Sequence, residues 1–234
     1  MHNPWSFAAW FAFIGTSTYV LFRANQLTGG LRFQAVFMLS LIQLGLGLFW
    51  AKKRNVNWGR IDSGWKSLVL VLLGLQLAEQ ALVVHSIPST INLTTMGTRF
   101  IYMVFFIGLV EEVWFRGLWM HLCKDQVMPA LVVGSVVFGL YHLPHGPWVV
   151  ISTAGVGFAF GAARLRGASL FGLGLLHGAN NWLNQSLFPG TAFRYSRELV
   201  AMGIAGTGIV VGLWLIRRAF KSSPSTLPVS PGST

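Results

Sequence analysis

The sequence predicts an all-α polytopic membrane protein, a bundle of about eight transmembrane helices. Composition, a recurring run length and the placement of basic residues predict it. Hydrophobic residues make up 53% of the 234-residue chain and charged residues 10%, against about 25% charged in a soluble globular protein. A water-facing surface cannot be built from that inventory. Apolar runs recur at Trp5–Phe22, Phe33–Trp50, Leu68–Val84, Phe100–Leu122, Val127–Leu143, Trp148–Ala163, Leu170–Leu187 and Val200–Ile216. Each approaches the roughly 17–25 residues of a spanning helix, and the shortest suit tilted, broken or sheltered segments.

The first run has no Lys or Arg before it and no clear small-residue cleavage site after it, so it reads as a retained span rather than a signal peptide. The second ends against Lys52, Lys53 and Arg54, and the third begins beyond Arg60 and Lys66. The fourth carries Glu111, Glu112 and Arg116 inside an apolar stretch. In the fifth, Pro144 disfavours helix at Leu143, which places His142 near the helix end. The last three contain Gly157/Gly161, Gly174/Gly178 and Gly208/Gly212, a spacing that lets helix backbones approach closely in lipid. Residues 1–220 thus read as one membrane domain with a motif core at 100–187, and the Ser/Pro-rich tail 221–234 as disordered.

A net charge of +11 could suggest nucleic acid, but the basic residues sit in short connections rather than in an aromatic-laced patch, so no nucleic-acid partner is expected. They report orientation instead. With eight spans, the side of the N-terminus carries eleven of them: Lys52, Lys53, Arg54, Arg60, Lys66, Lys124, Arg164, Arg166, Arg217, Arg218 and Lys221. The opposite side carries five: Arg23, Arg32, Arg99, Arg194 and Arg197. The positive-inside bias places both termini in the cytoplasm of a multi-pass protein, in a prokaryotic plasma membrane. The single cysteine, Cys123, excludes an intramolecular disulfide framework and reads as a small apolar filler.

Function is read from the few polar groups inside the spans. The chain has only six acidic residues, and a charge near the bilayer centre costs on the order of 2.5–3.5 kcal/mol even on the lenient insertion scale. Glu112 and Arg116 form a favourable i,i+4 pair, whereas Glu111 points about 100° away and is left for a polar cavity. His142 closes the fifth span, and His177 and Asn181 share a face of the seventh. A carboxylate shielded from water can act as a general base on a water molecule, and an imidazole and an amide can donate to an oxyanion. One Glu and two His are equally the ligand set of a catalytic zinc, Glu111, His142 and His177 here. The His-Glu-x-x-His helix of ordinary zincins is missing.

Glu111-Glu112-Val-Trp-Phe-Arg116, then Phe138-x-x-x-His142, then His177-x-x-x-Asn181, on the fourth, fifth and seventh spans, resembles the family of CAAX prenyl endopeptidases and bacteriocin-processing or immunity proteins. The motif positions show no departure from that pattern, while the first three spans match only in being hydrophobic. The resemblance implies an intramembrane endopeptidase cutting a membrane-associated peptide or protein, prenylated or otherwise, near the cytoplasmic face. It implies that Glu111 activates water with help from His142, that His177 and Asn181 stabilise the oxyanion, and that Glu112, Arg116 and Phe138 support them. Asn181 suits an oxyanion donor better than a metal ligand, which favours a site without a cofactor over zinc. Two other classes compete: a catalytically silent peptide-binding or immunity protein, and a proton-coupled transporter, for which inverted repeats are expected but not found.

Overall fold

The computed structural model describes residues 4–60, 64–86, 92–187 and 190–221. The expected tail, beyond Lys221, lies outside the described residues. Eight helical rods occur among them: α1 (Pro4–Ala24), α2 (Gly29–Lys53), α3 (Trp65–Leu82), α4 (Leu93–Leu122), α5 (Val127–Tyr141), α6 (Pro147–Leu165), α7 (Leu170–Trp182) and α8 (Arg197–Lys221). Six of them, α1, α2, α3, α4, α6 and α8, are long and apolar enough to cross a membrane. Of the two that are not, α5 ends directly before His142 and α7 carries His177. At about 1.5 Å per residue, the 15 residues of α5 span about 22 Å of a hydrocarbon layer about 30 Å thick.

Each run becomes a rod, with ends moved by local chemistry. α4 begins seven residues before its apolar run because Asn92 caps it, accepting from the Thr95 N–H at 3.0 Å. Thr98 then returns its hydroxyl to the Thr94 carbonyl at 3.1 Å. α7 stops at Trp182 and continues as a π-helical turn, Leu183–Leu187. Two short strands, β1 (Val83–His85) and β2 (Gly190–Phe193), pair antiparallel and tie the exit of α3 to the approach to α8.

The bundle has two differently packed halves. Around α1, α2 and α4 the buried core is aromatic, with Trp10, Trp114, Phe115 and Trp119 together. Each indole N–H has a carbonyl: Trp10 on Trp114 O at 3.0 Å, Trp114 on Gln43 O at 2.9 Å, Trp119 on Ala130 O at 2.7 Å. Around α6, α7 and α8 the core uses Ala159, Ala162 and Ala163, and backbones approach closely. Gly178 lies against the backbone of Val104 on α4, where any Cβ would collide. Large apolar side chains such as Leu77 (71% exposed) and Val210 (67%) face outward, as lipid contact requires.

Two end faces follow from the alternating rods. The first, here the terminal face, carries the ends of α1 and α8 and the connecting residues 54–60, 64, 123–126 and 166–169; the second carries 25–28, 83–86, 92, 142–146 and 190–196. Hydrogen bonds confirm the grouping: Arg54 reaches Ser6 and Leu170 N donates to Trp58 O at 2.9 Å on the terminal face, whereas Asn25 donates to Pro144 O at 3.3 Å on the other.

Candidate active site

α4 positions three charged side chains through an irregular helix. π-helical turns at Tyr102–Gly108 and Val113–Leu118 flank the single α-turn Leu109–Glu112. Each π turn re-phases the residues beyond it, a device common where a helix carries function. Glu111 is 8% exposed and Glu112 fully buried. Arg116 donates from Nη1 to Glu112 Oε1 at 3.2 Å and from Nη2 to Gly157 O at 3.0 Å, and it lies 4.2 Å over the Phe138 ring.

His142 is set by the end of α5. The helix tightens there, so the His142 N–H bonds Gly139 O at 2.9 Å instead of the carbonyl four residues back. That frees Phe138 O, an orphan acceptor at a helix end, to receive His142 Nδ1 at 2.8 Å. A carbonyl only accepts, so Nδ1 carries the proton and Nε2 presents a lone pair in the neutral ring. Nε2 stands 3.7 Å from Glu111 Oε2. Phe138 therefore supplies a carbonyl for His142 and a ring face for Arg116.

His177 sits seven residues into α7, 5% exposed. Its Nδ1 is 2.9 Å from Glu112 Oε1 and its Nε2 is 3.6 Å from Glu111 Oε2. Spacing along α4 suggested Arg116 as the partner of Glu112. The pair is present, but the same oxygen also holds His177, giving a chain Arg116–Glu112–His177 that single-helix periodicity could not reveal. Glu111 Oε2 has no hydrogen-bond partner within the described protein and faces both imidazoles.

Glu111, Phe138, His142 and His177 line a cavity of about 700 Å³. Asn181, one turn beyond His177, lines the same cavity, as does the neighbouring Asn180. His145 stands nearer the mouth, its ring 6.2 Å from that of His142; burial, then the neighbouring His142, hold it below the ordinary imidazole value. The sequence reading missed a polar wall from α3 and the end of α7. There Asn184 donates to Glu79 at 2.5 Å and Gln76 donates to Asn180 at 2.9 Å. It also missed Gln43 of α2, which donates to the Tyr141 hydroxyl at 3.1 Å. Glu79 could have been noticed as the other acidic residue inside an apolar run; Gln43 carries no comparable signal.

The cavity reaches the face opposite the chain termini, where Asn25, Gly29, Arg32 and His145 line it. Cytoplasmic termini and cleavage near the cytoplasmic face were both expected; the cavity lining lies in the halves of the helices away from the termini. Among the described residues, the terminal face is closed over the site. Arg164 bonds Ala168 O at 2.7 Å and also Asn57 O, and a side chain at Gly64 (φ +71°) would strike the Ala168 backbone. A smaller cavity of about 380 Å³ enters from that face and stops at Arg116.

Glu111, His142 and His177 also bear on a metal. Zinc ligands about 2.0–2.2 Å from the ion stand about 3.3–3.4 Å apart in a tetrahedron. The Glu111 oxygen lies 3.6 and 3.7 Å from the two Nε2 atoms, and among the described residues no group of three or more such side chains forms a ready-made site. Both imidazoles have Nδ1 already committed, as metal-binding histidines do, so the donor types suit zinc while their separations from Glu111 are wider than a bound ion requires.

Fold and site together define a polytopic membrane protein with a buried Glu–His centre under a wide cavity. Residues 94–183 match the family model described as Rce1-like, type II CAAX prenyl endopeptidases. The match covers α4 to α7 and every motif residue, 90 of the chain's 234 residues. No curated protein and no solved structure matches the chain.

Proposed function

We propose that this protein is an intramembrane endopeptidase in which Glu111 activates water to hydrolyse a peptide bond of a membrane-associated peptide or protein. One observation carries the reading: Glu111 Oε2 faces two imidazole Nε2 atoms at 3.6 and 3.7 Å in the lining of the cavity. Separations beyond direct hydrogen-bond length suit a bridging water. Glu111 takes a proton from that water as its oxygen attacks the scissile carbonyl carbon, and His142 Nε2 accepts the water's other hydrogen bond. Asn181 donates to the oxyanion, as does His177 Nε2 when it carries a proton. The C–N bond breaks as Glu111 returns its proton to the leaving nitrogen. Were zinc bound, Glu111, His142 and His177 would hold it, and it would polarise the water. The lipid-modified C-terminal peptides for which the matched family is named are one substrate class.

Purification in detergent, metal analysis and a peptide-library cleavage assay on wild type and Glu111→Gln test the reading. Cleavage by wild type alone is expected. Equal cleavage by both removes Glu111 from the chemistry, and tight peptide binding without cleavage by either replaces the enzyme with a binding or immunity protein.

A further inference from the structure

Sidedness follows from combining the cavity with the charge pattern. The cavity draws its lining from the halves of the helices away from the chain termini. At its mouth, on the face opposite the termini, stand Asn25, Arg32 and His145, and Glu111 and His177 line it from within α4 and α7. Access from the terminal face is blocked twice. The connection carrying Asn57 and Trp58 is latched to Arg164 and Leu170, and beneath it the Arg116 guanidinium fills the space between Glu112, Gly157 and Phe138. The smaller cavity on that face ends at the far side of this plug.

The terminal face is also the basic one, with eleven Lys and Arg at its connections and helix ends against five on the mouth face. The connections are short, which is the condition under which Lys and Arg set orientation. The 142–146 connection beside the mouth contains no Lys or Arg. The charge bias that puts the basic face in the cytoplasm therefore puts the mouth outside.

We propose that the site opens on the non-cytoplasmic side of the membrane and takes peptide segments that have already crossed it: exported peptides, or the outer flank of a membrane-spanning protein. The walls fit an amphipathic segment at the outer leaflet, since Phe33, Val36 and Phe106 face the cavity on one side and Glu79, Asn180 and Asn184 on the other. The choice of substrate rests on the endopeptidase reading; the sidedness does not. The class of reaction that supplies the substrate is accordingly translocation or membrane insertion.

Cysteine labelling decides it without reference to activity. In a Cys123→Ser background, His145→Cys and Asn25→Cys probe the mouth and Lys53→Cys the opposite face. Each is exposed to a membrane-impermeant sulfonated maleimide in right-side-out and in inverted vesicles from the expressing cells. The proposal expects the mouth cysteines to label at least tenfold faster in right-side-out vesicles, and Lys53→Cys to label at least tenfold faster in inverted ones. The reverse pattern, or equal labelling of Lys53→Cys in both preparations, overturns it. If both mouth cysteines label in neither preparation, the site does not open on that face and the proposal fails. Absence of cleavage by wild type and Glu111→Gln alike would remove the enzyme reading and leave the labelling result intact, so the two failures are distinguishable.

Discussion

The closed half of the membrane bundle, around Arg116 and the 54–60 connection, and the open half, around Glu111, use the same kinds of side chain differently. In the closed half polar groups meet fixed partners: Arg116 a carboxylate, a carbonyl and a ring; Arg164 two carbonyls; the indoles of Trp114 and Trp119 a carbonyl each. In the open half, Glu111 Oε2 and the two Nε2 atoms stop just short of one another above a cavity. Satisfied polar groups fix the helices, and spare hydrogen-bonding capacity is kept where a substrate can reach it. Glu112 joins the halves, since one of its oxygens takes both Arg116 and His177.

The sharpest break of this contrast is Glu111→Gln. The amide keeps the carboxylate's size but cannot accept a proton from water, so hydrolysis should fall by about 10³-fold or more, at the upper part of the general-base range. The thermal midpoint in detergent should stay within about 2 °C of wild type, because no protein hydrogen bond to Oε2 is lost. A large drop in that midpoint would move Glu111 into the closed half's structural class.

Arg116→Ala should do the opposite. It leaves Glu112 and His177 in a low-dielectric interior without their permanent cation, and breaking such a pair costs about 3–5 kcal/mol. Unfolding in detergent should register most of that loss. In the double variant with Glu112→Gln part of it should return, since no unpaired carboxylate then remains. Additive losses would show that Arg116 acts chiefly through Phe138 and Gly157.

Much of this was legible before any coordinates. Apolar runs located every rod, because lipid demands continuous apolar helix and permits few other solutions. The order of the polar motifs brought Glu111, His142 and His177 into consideration together. What stayed hidden depends on contacts between elements. The Glu112–His177 bond joins residues 65 positions apart, and the β1–β2 pair joins segments over 100 positions apart. The π turns of α4 leave no clear mark in a run of large apolar residues, and the direction of the cavity depends on which helix halves diverge. Phe138 was expected to pack or face substrate; that its carbonyl would orient His142 required knowing how α5 ends.

Within the open half, Asn181→Ala separates binding from chemistry. An oxyanion donor acts as charge develops, so kcat should fall by roughly 10²–10³ with KM changed less than about threefold. Equal losses in 1/KM and none in kcat would assign Asn181 to substrate binding. Asn180 already accepts from Gln76, so Asn180→Ala is the control and should cost less than tenfold.

The smallest effect tests how tightly the closed half is sealed. Cys123 lines the cavity that ends at Arg116, yet burial pushes its thiol up to about 11. Only the thiolate is the nucleophile. A group with that value is ionised in about one molecule in 10⁴ at pH 7, some 100-fold less than a thiol at its ordinary value of 9.0. Maleimide labelling of the wild-type protein should therefore be about 100-fold slower than that of a small free thiol at pH 7. The rate should climb about tenfold per pH unit up to about 11, since removing the proton creates the reactive form. Rapid labelling at pH 7 would show that water enters from the terminal face as readily as from the mouth, and the distinction between a closed and an open half would lose its basis.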